Sequence, residues 1–417
     1  MNFSFNFESK SKLLSLNSIS SYPHSNPPPL CYYRRDPLSS IISLSPFLVL
    51  PFSPFISFIY ALFIMIILSP ILNTQNRVIL SVCVILSGSF LNGDAVLHSD
   101  FEHYYRVYNA LLDNNLKFLL YFGSGIELAL PTTYLILGKF FGKLSPTHFM
   151  NMQIIFTVSL FYIWLEVYGI KNIANRQKAI CVAMALMFFD FWCSAWLVRQ
   201  ILASVFILYT ISARSNYSFW IFFITAILFH TTSIIFIPLI LLLYKYPKTG
   251  LFFCVCISIS FIYFLEIANY LYSIKSNIIF PIQPKLYDYV ISKTTLDGSY
   301  IGVKNLILLS ILTIFSLIYL NRAFRRYRAV ILGLEILYIS SIYVSGHFSL
   351  RVGVFLIFVS IGYFLFLSLR KQPFILLIFA LFSLLNIAQT KSVFGDLSNT
   401  RIFANYDIYG NFFYYLN

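Results

Sequence analysis

Arg199 stands in the run Val198-Arg199-Gln200-Ile201-Leu202-Ala203, and His230 in Phe229-His230-Thr231-Thr232-Ser233, both within sequence apolar enough for a lipid bilayer. A cation at the middle of a membrane costs at least about 2.5 kcal/mol on insertion scales, so such a residue faces a protein interior or a watery cavity and meets an anion. Arg199 offers a planar fork that matches two phosphate oxygens and a charge that does not titrate, and Gln200 beside it adds donors and an acceptor. His230 separates two apolar half-segments, residues 220–229 and 234–244. An imidazole there takes up a proton near neutral pH, while Thr231, Thr232 and Ser233 can bond backbone groups that a helix break sets free. On these residues alone, an arginine that snorkels to the interface and a histidine satisfied in the core stay open as alternatives.

A second arginine, Arg351, follows Ser345-Gly346-His347-Phe348-Ser349-Leu350 at the start of another apolar run and can face an external cavity. Gly362 completes an Arg-x10-Gly spacing with it, which is weak support in a chain with 16 glycines. Between residues 99 and 108 the chain reads Ser-Asp-Phe-Glu-His-Tyr-Tyr-Arg-Val-Tyr. On a helix, Asp100, Tyr104 and Tyr108 share one stripe, a carboxylate and two phenols of the kind that binds sugars, and Glu102 with Arg106 forms an i, i+4 pair. An interfacial helix with tyrosines at headgroup level has the same pattern. Glu127 opens the next apolar run, where the helix dipole favours a carboxylate either as a cap or as a functional group.

These residues need elements to hold them. The 417-residue chain is 59% hydrophobic and 11% charged, with mean hydropathy +0.79, whereas a soluble globule is about 25% charged. The composition excludes an ordinary soluble domain and predicts an all-α, polytopic integral membrane protein of ten to twelve transmembrane helices, some short or broken. The apolar runs are continuous rather than alternating, which excludes an outer-membrane barrel. Expected spans are 43–71 (with Pro46, Pro51 and Pro54, so open to a break), 78–91, 128–144, 149–170, 179–197, 200–213, 217–244, 250–273, 302–320, 329–345, 351–369 and 373–389.

Two longer polar loops, 92–127 and 274–300, are rich in tyrosine and charge rather than in linker residues. They are expected outside the cytoplasm and in contact with substrate. The net charge of +14 falls mostly in short connections, which encodes topology and argues against nucleic acid as a partner. Arg322, Arg325, Arg326 and Arg328 mark one connection as cytoplasmic. Counting crossings from there puts 274–300 and Arg351 outside, with Lys245, Lys248, Arg370 and Lys371 inside, and leaves the side of Arg199 open. The six cysteines form no CxxC pair or Cys/His cluster, so no metal site and no cofactor is expected. Residues 1–40, Ser-rich with Pro27-Pro28-Pro29, are expected to be a disordered extension, translated or not, before a single polytopic membrane domain at 41–417.

The order of these features resembles the EpsG-like family of bacterial Wzy-type polysaccharide polymerases over roughly residues 55–390. The similar elements are Asp100-x3-Tyr104-x3-Tyr108, Glu127, Val198-Arg199-Gln200-x2-Ala203, Phe229-His230-x2-Ser233, Lys285-x-Tyr287-x-Tyr289 and Ser349-x-Arg351. The family pattern often has an arginine shortly before the loop aspartate, where this chain reads Asn92-Gly93-Asp94-Ala95. The resemblance implies a multi-pass protein of the bacterial cytoplasmic (inner) membrane that joins polyprenyl-diphosphate-linked oligosaccharide repeats. The growing chain leaves its lipid carrier for a sugar hydroxyl of the next lipid-linked unit. In that reaction Arg199 and Arg351 would stabilise the departing diphosphate, and His230 or Asp100 would act as base. Tyr104 and Tyr108 would stack on sugar, while Gln200, Glu127, Arg106 and Tyr287 would complete the substrate contacts. Membrane lipid would surround the chain, and a chain-length regulator is left open as a protein partner. A multi-span transferase using polyprenyl-phosphate sugars, with Asp100 and Glu102 central, is the competing enzyme. A flippase for lipid-linked oligosaccharide is the competing non-enzyme.

Overall fold

Apolar runs of this kind bury their backbone polar groups most simply as helices, and the computed structural model contains no strand among the residues it describes: 37–92, 99–273, 297–320, 324–344, 346–393, 410–412 and 415. The helices are α1 (Pro37–Val49), α2 (Pro54–Ile67), α3 (Thr74–Phe90), α4 (Ser99–Leu112), α5 (Ala129–Phe141), α6 (Pro146–Trp164), α7 (Asn175–Met187), α8 (Cys193–Trp196) and α9 (Val198–Ser212). They continue as α10 (Asn216–Phe229), α11 (Ser233–Lys245), α12 (Pro247–Ser273), α13 (Asp297–Tyr319), α14 (Arg325–Val344), α15 (Gly346–Gly353), α16 (Ile361–Leu369) and α17 (Pro373–Val393). Most of the expected extension, residues 1–36, lies outside the described residues, and α1 begins at Pro37.

Local chemistry sets the boundaries. Ser53, Asn73 and Ser145 each accept a backbone N–H at the start of α2, α3 and α6, and prolines occupy the first turn of α2 and α6, where their missing N–H costs nothing. The 43–71 run is therefore two helices with a turn at 50–53. A capping box of Ser215 and Ser218 opens α10, and the backbone turns extended at His230 (φ −155°, ψ 123°), so the 217–244 run divides into α10 and α11. Each is about 20 Å long at 1.5 Å per residue, short of the roughly 30 Å apolar thickness of a bilayer.

Among the described residues, two helical stretches, Pro146–Gly169 and Arg351–Leu369, pass the test of length and apolar content for crossing a membrane, whereas α1, α2, α9, α10 and α11 are shorter apolar helices. The loop expected at 92–127 contains α4, and most of the one at 274–300 lies outside the described residues.

The stretch Gly346–Leu369 forms the axis of the bundle. Its Val354–Ser360 segment is a π-helix with every residue buried, and it continues as the equally buried α16. This axis packs against α7, α9, α13 and α14. At Gly362 the approach of α7 is so close that a Cβ would strike the Met184 carbonyl, so a glycine is required there by contact. On the outside, large apolar side chains such as Phe252 on α12, Ile318 on α13 and Phe382 on α17 are exposed. An apolar exterior around a helical bundle fits a membrane protein. Away from the site described below, Arg77 of α3 grips Glu166 through two bonds, Nε to Oε1 at 2.8 Å and Nη2 to Oε2 at 2.7 Å, and Tyr162 donates to the same carboxylate. This pair ties α3 to the end of α6.

Because backbone, rather than a flexible side chain, opposes Gly362, Gly362→Ala is expected to destabilise the purified protein by about 1–3 kcal/mol, the usual cost of overpacking. Thermal unfolding in detergent measures this, and an unchanged melting temperature would contradict the close α7–α16 approach.

Candidate active site

A carboxylate survives ionised inside a protein only when its oxygens are fully bonded. Glu127, whose side chain is 2% exposed, meets that condition through partners from two places in the fold, the start of α9 and the break between α10 and α11. Its Oε2 accepts from Arg199 Nη1 at 2.6 Å. Its Oε1 accepts from His230 Nδ1 at 2.7 Å, from the Thr231 N–H at 2.9 Å and from the Thr231 hydroxyl at 3.1 Å. The break between α10 and α11 is what exposes the Thr231 N–H for this purpose.

The turn in front of Glu127 is built for the approach. Gly123, Ser124 and Gly125 all have positive φ (56°, 55° and 89°). A Cβ on Gly123 would lie 2.5 Å from Glu127 Cγ, so position 123 needs glycine on both counts. Burial is the largest single influence on the Glu127 carboxyl and pushes it up. The His230 imidazole, the Thr231 N–H and the Arg199 charge together outweigh burial and hold it down at about 2. Since an ionised carboxylate only accepts, Nδ1 of His230 carries the hydrogen, and Nε2 is left as the ring atom available to a ligand.

Arg199 begins α9 directly after the short α8, with its guanidinium 4.7 Å from the centre of the Phe122 ring and 5.9 Å from that of Tyr104. Its Nε donates to the Tyr104 hydroxyl at 3.5 Å, and its side chain remains 20% exposed. One turn earlier on α4, Asp100 lies 3.6 Å from Arg351 Nη2. The i, i+4 stripe expected on α4 therefore exists, and it holds a different arginine at each of its first two positions. Gln200, the neighbour of Arg199 in the chain, holds Arg351: its Nε2 donates to the Arg351 carbonyl at 2.5 Å, and its Oε1 accepts from Arg351 Nη1 at 3.4 Å. A narrow crevice, with room for about one water molecule, lies beside this contact and is lined by Gln200, Ser204, Thr232, Arg351 and Phe355 among others.

The sequence expectations meet this geometry unevenly. Arg199, His230, Arg351, Asp100, Gln200, Glu127 and Tyr104 come together. Glu127 is too buried to touch a substrate and instead positions Arg199 and His230. Tyr104 and Tyr108 are not open to a sugar ring, at 2% and 0% exposure, because aromatic neighbours fill both sides. Tyr108 packs 4.6 Å from Phe149 and donates to the Gly142 carbonyl, pinning α4 to the turn after α5. Arg106 points away from Arg199 and bonds His103 and Tyr121 rather than pairing with Glu102. Tyr287 lies outside the described residues. Among the described residues, no three of His, Cys, Asp and Glu gather as a metal-holding group. Sequence reasoning missed Phe122 under Arg199, for which the Gly123-Ser124-Gly125 triplet beside it was the available signal.

The model of the EpsG family matches residues 78–403. The chain belongs to the EpsG family. No curated protein and no solved structure matches it. Every residue of the Glu127 cluster falls within the matched part of this EpsG-family chain, as does Asp100 with Arg351. The family brings with it a polymerase-like role in polysaccharide biosynthesis and, at a coarse level, lipid-linked saccharide substrates.

A carboxyl held at about 2 against an ordinary 4.5 contributes stability that is complete above pH 4.5 and is lost as the pH falls through about 2. Glu127→Gln removes that contribution. The gap in thermal stability between wild type and variant, measured in detergent against pH, is expected to be widest above pH 4.5 and to narrow from there towards pH 2. A gap independent of pH would contradict an ionised Glu127 as the centre of the cluster.

Proposed function

We propose that this EpsG-family protein polymerises polyprenyl-diphosphate-linked oligosaccharide repeats as a multi-pass protein of the bacterial cytoplasmic membrane. The observation that carries the reading is the placement of two arginines along the Asp100–Tyr104 stripe of α4, Arg351 beside Asp100 and Arg199 beside Tyr104, with the His230 ring oriented by the same Glu127 carboxylate that holds Arg199.

The reaction breaks the bond between the anomeric carbon of the donor chain and its diphosphate oxygen, and forms a bond from that carbon to a hydroxyl of the acceptor repeat. Negative charge grows on the departing diphosphate. Two guanidinium groups fixed in advance stabilise that charge without reorganising. The Asp100–Arg351 pair is loose, with about a third of each side chain exposed. Such exposed pairs are worth about 0–1 kcal/mol, so a phosphate can take the place of Asp100. Arg199 is held more firmly, and Nε and Nη1 are its bonded edges. Among the described residues Nη2 has no partner and is the edge offered to an anion. The acceptor hydroxyl passes its proton to Nε2 of His230, whose ring Glu127 orients through Nδ1, and the proton leaves with the diphosphate or to solvent. The surrounding apolar helices would sit in lipid, with nucleic acid playing no part.

In cells lacking the native gene, Arg199→Lys and Arg351→Ala are expected to abolish the polymer ladder while the protein level in the membrane stays intact. Lysine keeps the charge of Arg199 and loses the fork. Loss of one such donor typically lowers turnover by about 10²–10³. Normal polymer from an Arg199→Ala strain would make the residue structural. Unaltered polymer from His230→Ala would move the role of base to Asp100. In vesicles with lipid-linked repeats on one face, transfer across the bilayer without any new glycosidic bond would replace the polymerase with a flippase.

A further inference from the structure

The α4 tyrosines expected to stack on sugar are buried, yet an aromatic surface of the right kind lies on the opposite, exposed side of the same helix. Tyr121, 39% exposed, follows the turn at Leu116–Leu120, which folds it back over α4. Phe118 stacks on it with ring centres 5.5 Å apart and planes 15° from parallel. Arg106 Nη2 donates to the Tyr121 hydroxyl at 2.6 Å and meets His103 Nδ1 at 2.6 Å, and His103 Nδ1 also lies 2.9 Å from that hydroxyl. The ring is thus held in one orientation, with hydrogen-bonding groups of an arginine and a histidine along its hydroxyl edge. It touches Phe122 edge-on at 5.1 Å, and Phe122 is the ring beneath Arg199. One aromatic ring therefore separates this surface from the proposed diphosphate site.

We propose that Tyr121, with Arg106 and His103, is a saccharide subsite that holds a sugar of the repeat unit or of the growing chain beside the reacting centre. The assignment rests on the polymerase reading above. A pyranose presents a face of C–H bonds that packs on an aromatic ring and a rim of hydroxyls that needs polar partners at the ring's edge; Phe118 covers one face of Tyr121 and the Arg106 guanidinium lies 5.6 Å from its centre, so a sugar would pack against the part of the ring that stays exposed, beside Arg106 and His103. The neighbouring Leu116, Leu120 and Ile126 are exposed, so contact with the membrane interface is the competing role for this segment. An anchoring tyrosine leaves its hydroxyl to the headgroup layer. The Tyr121 hydroxyl is instead bonded by two side chains of α4, which favours a ligand that needs the ring fixed.

The test uses the full-length protein in nanodiscs and fragments of a few repeats, prepared by mild acid cleavage of the host's own polymer. Tyr121→Ala is expected to weaken fragment binding roughly tenfold, the upper range for an aromatic contact, and to shift the cellular polymer towards shorter chains. Tyr121→Phe keeps the ring and is expected to bind within about threefold of wild type on the same scale. Tyr121→Leu keeps apolar bulk without a flat face and is expected to lose binding as Ala does. Wild-type affinity in Tyr121→Leu together with a wild-type chain-length distribution would overturn the subsite in favour of an interfacial anchor. Equal affinity of the Ala variant and wild type would overturn it as well. Wild-type protein that binds fragments but extends no lipid-linked repeat would instead sink the polymerase reading and leave the subsite standing.

Discussion

An ionised carboxylate inside an apolar bundle is the constraint from which the site follows. Glu127 can remain charged because an arginine, an imidazole, a backbone N–H and a hydroxyl surround its two oxygens. Each of those partners comes from a place where the chain departs from a regular helix: the start of α9 behind the short α8, and the extended backbone at His230 between α10 and α11. The turn of positive-φ residues at 123–125 is a third departure, and it brings Phe122 under Arg199 as well as Glu127 into the cluster. The breaks that shorten the apolar helices are thus the features that make the polar site possible, as expected where irregular backbone is buried or lines a cavity.

The pairing also sets the electrostatics. Arg199 with Glu127 and Arg351 with Asp100 leave the site close to neutral when His230 is neutral, which limits the penalty of keeping these charges in an apolar surround. The two pairs differ in firmness. Glu127 is sealed and its bond to Arg199 is short, whereas Asp100 and Arg351 are partly exposed and farther apart. Arg199 is thereby held firmly in place, and Arg351 more loosely.

Much of this was legible in the sequence. The helical class followed from continuous apolar runs, Arg199, His230 and Arg351 stood out because charge and imidazole are costly in or beside such runs, and Asp100 stood out by its spacing in a polar loop. The stripe of Asp100 and Tyr104 followed from helical spacing alone. What the spacing could not give was direction. Tyr104 and Tyr108 share a stripe with Asp100, but that stripe faces Phe122, Phe149 and Tyr134, so it is a packed surface and the sugar-facing candidate is Tyr121 on the far side. Glu127 was visible as a polar residue opening a helix. That it bridges Arg199 and His230 depends on contacts far apart in the chain, which no local pattern encodes. The break at His230 within 217–244 was legible from the polar run between two apolar half-segments, but the carboxylate that takes its freed N–H belongs to another element and was not.

The central claim, that Glu127, Arg199 and His230 act as one unit on a lipid diphosphate, is tested most directly by a double-mutant cycle on polymerisation. The rate at which purified protein in proteoliposomes extends lipid-linked repeats is compared for Glu127→Gln, His230→Gln and the two combined. Groups that work as a unit lose little more together than the worse of them loses alone, so the double variant is expected to match the slower single variant. Losses that multiply, with each substitution acting independently of the other, would contradict the account.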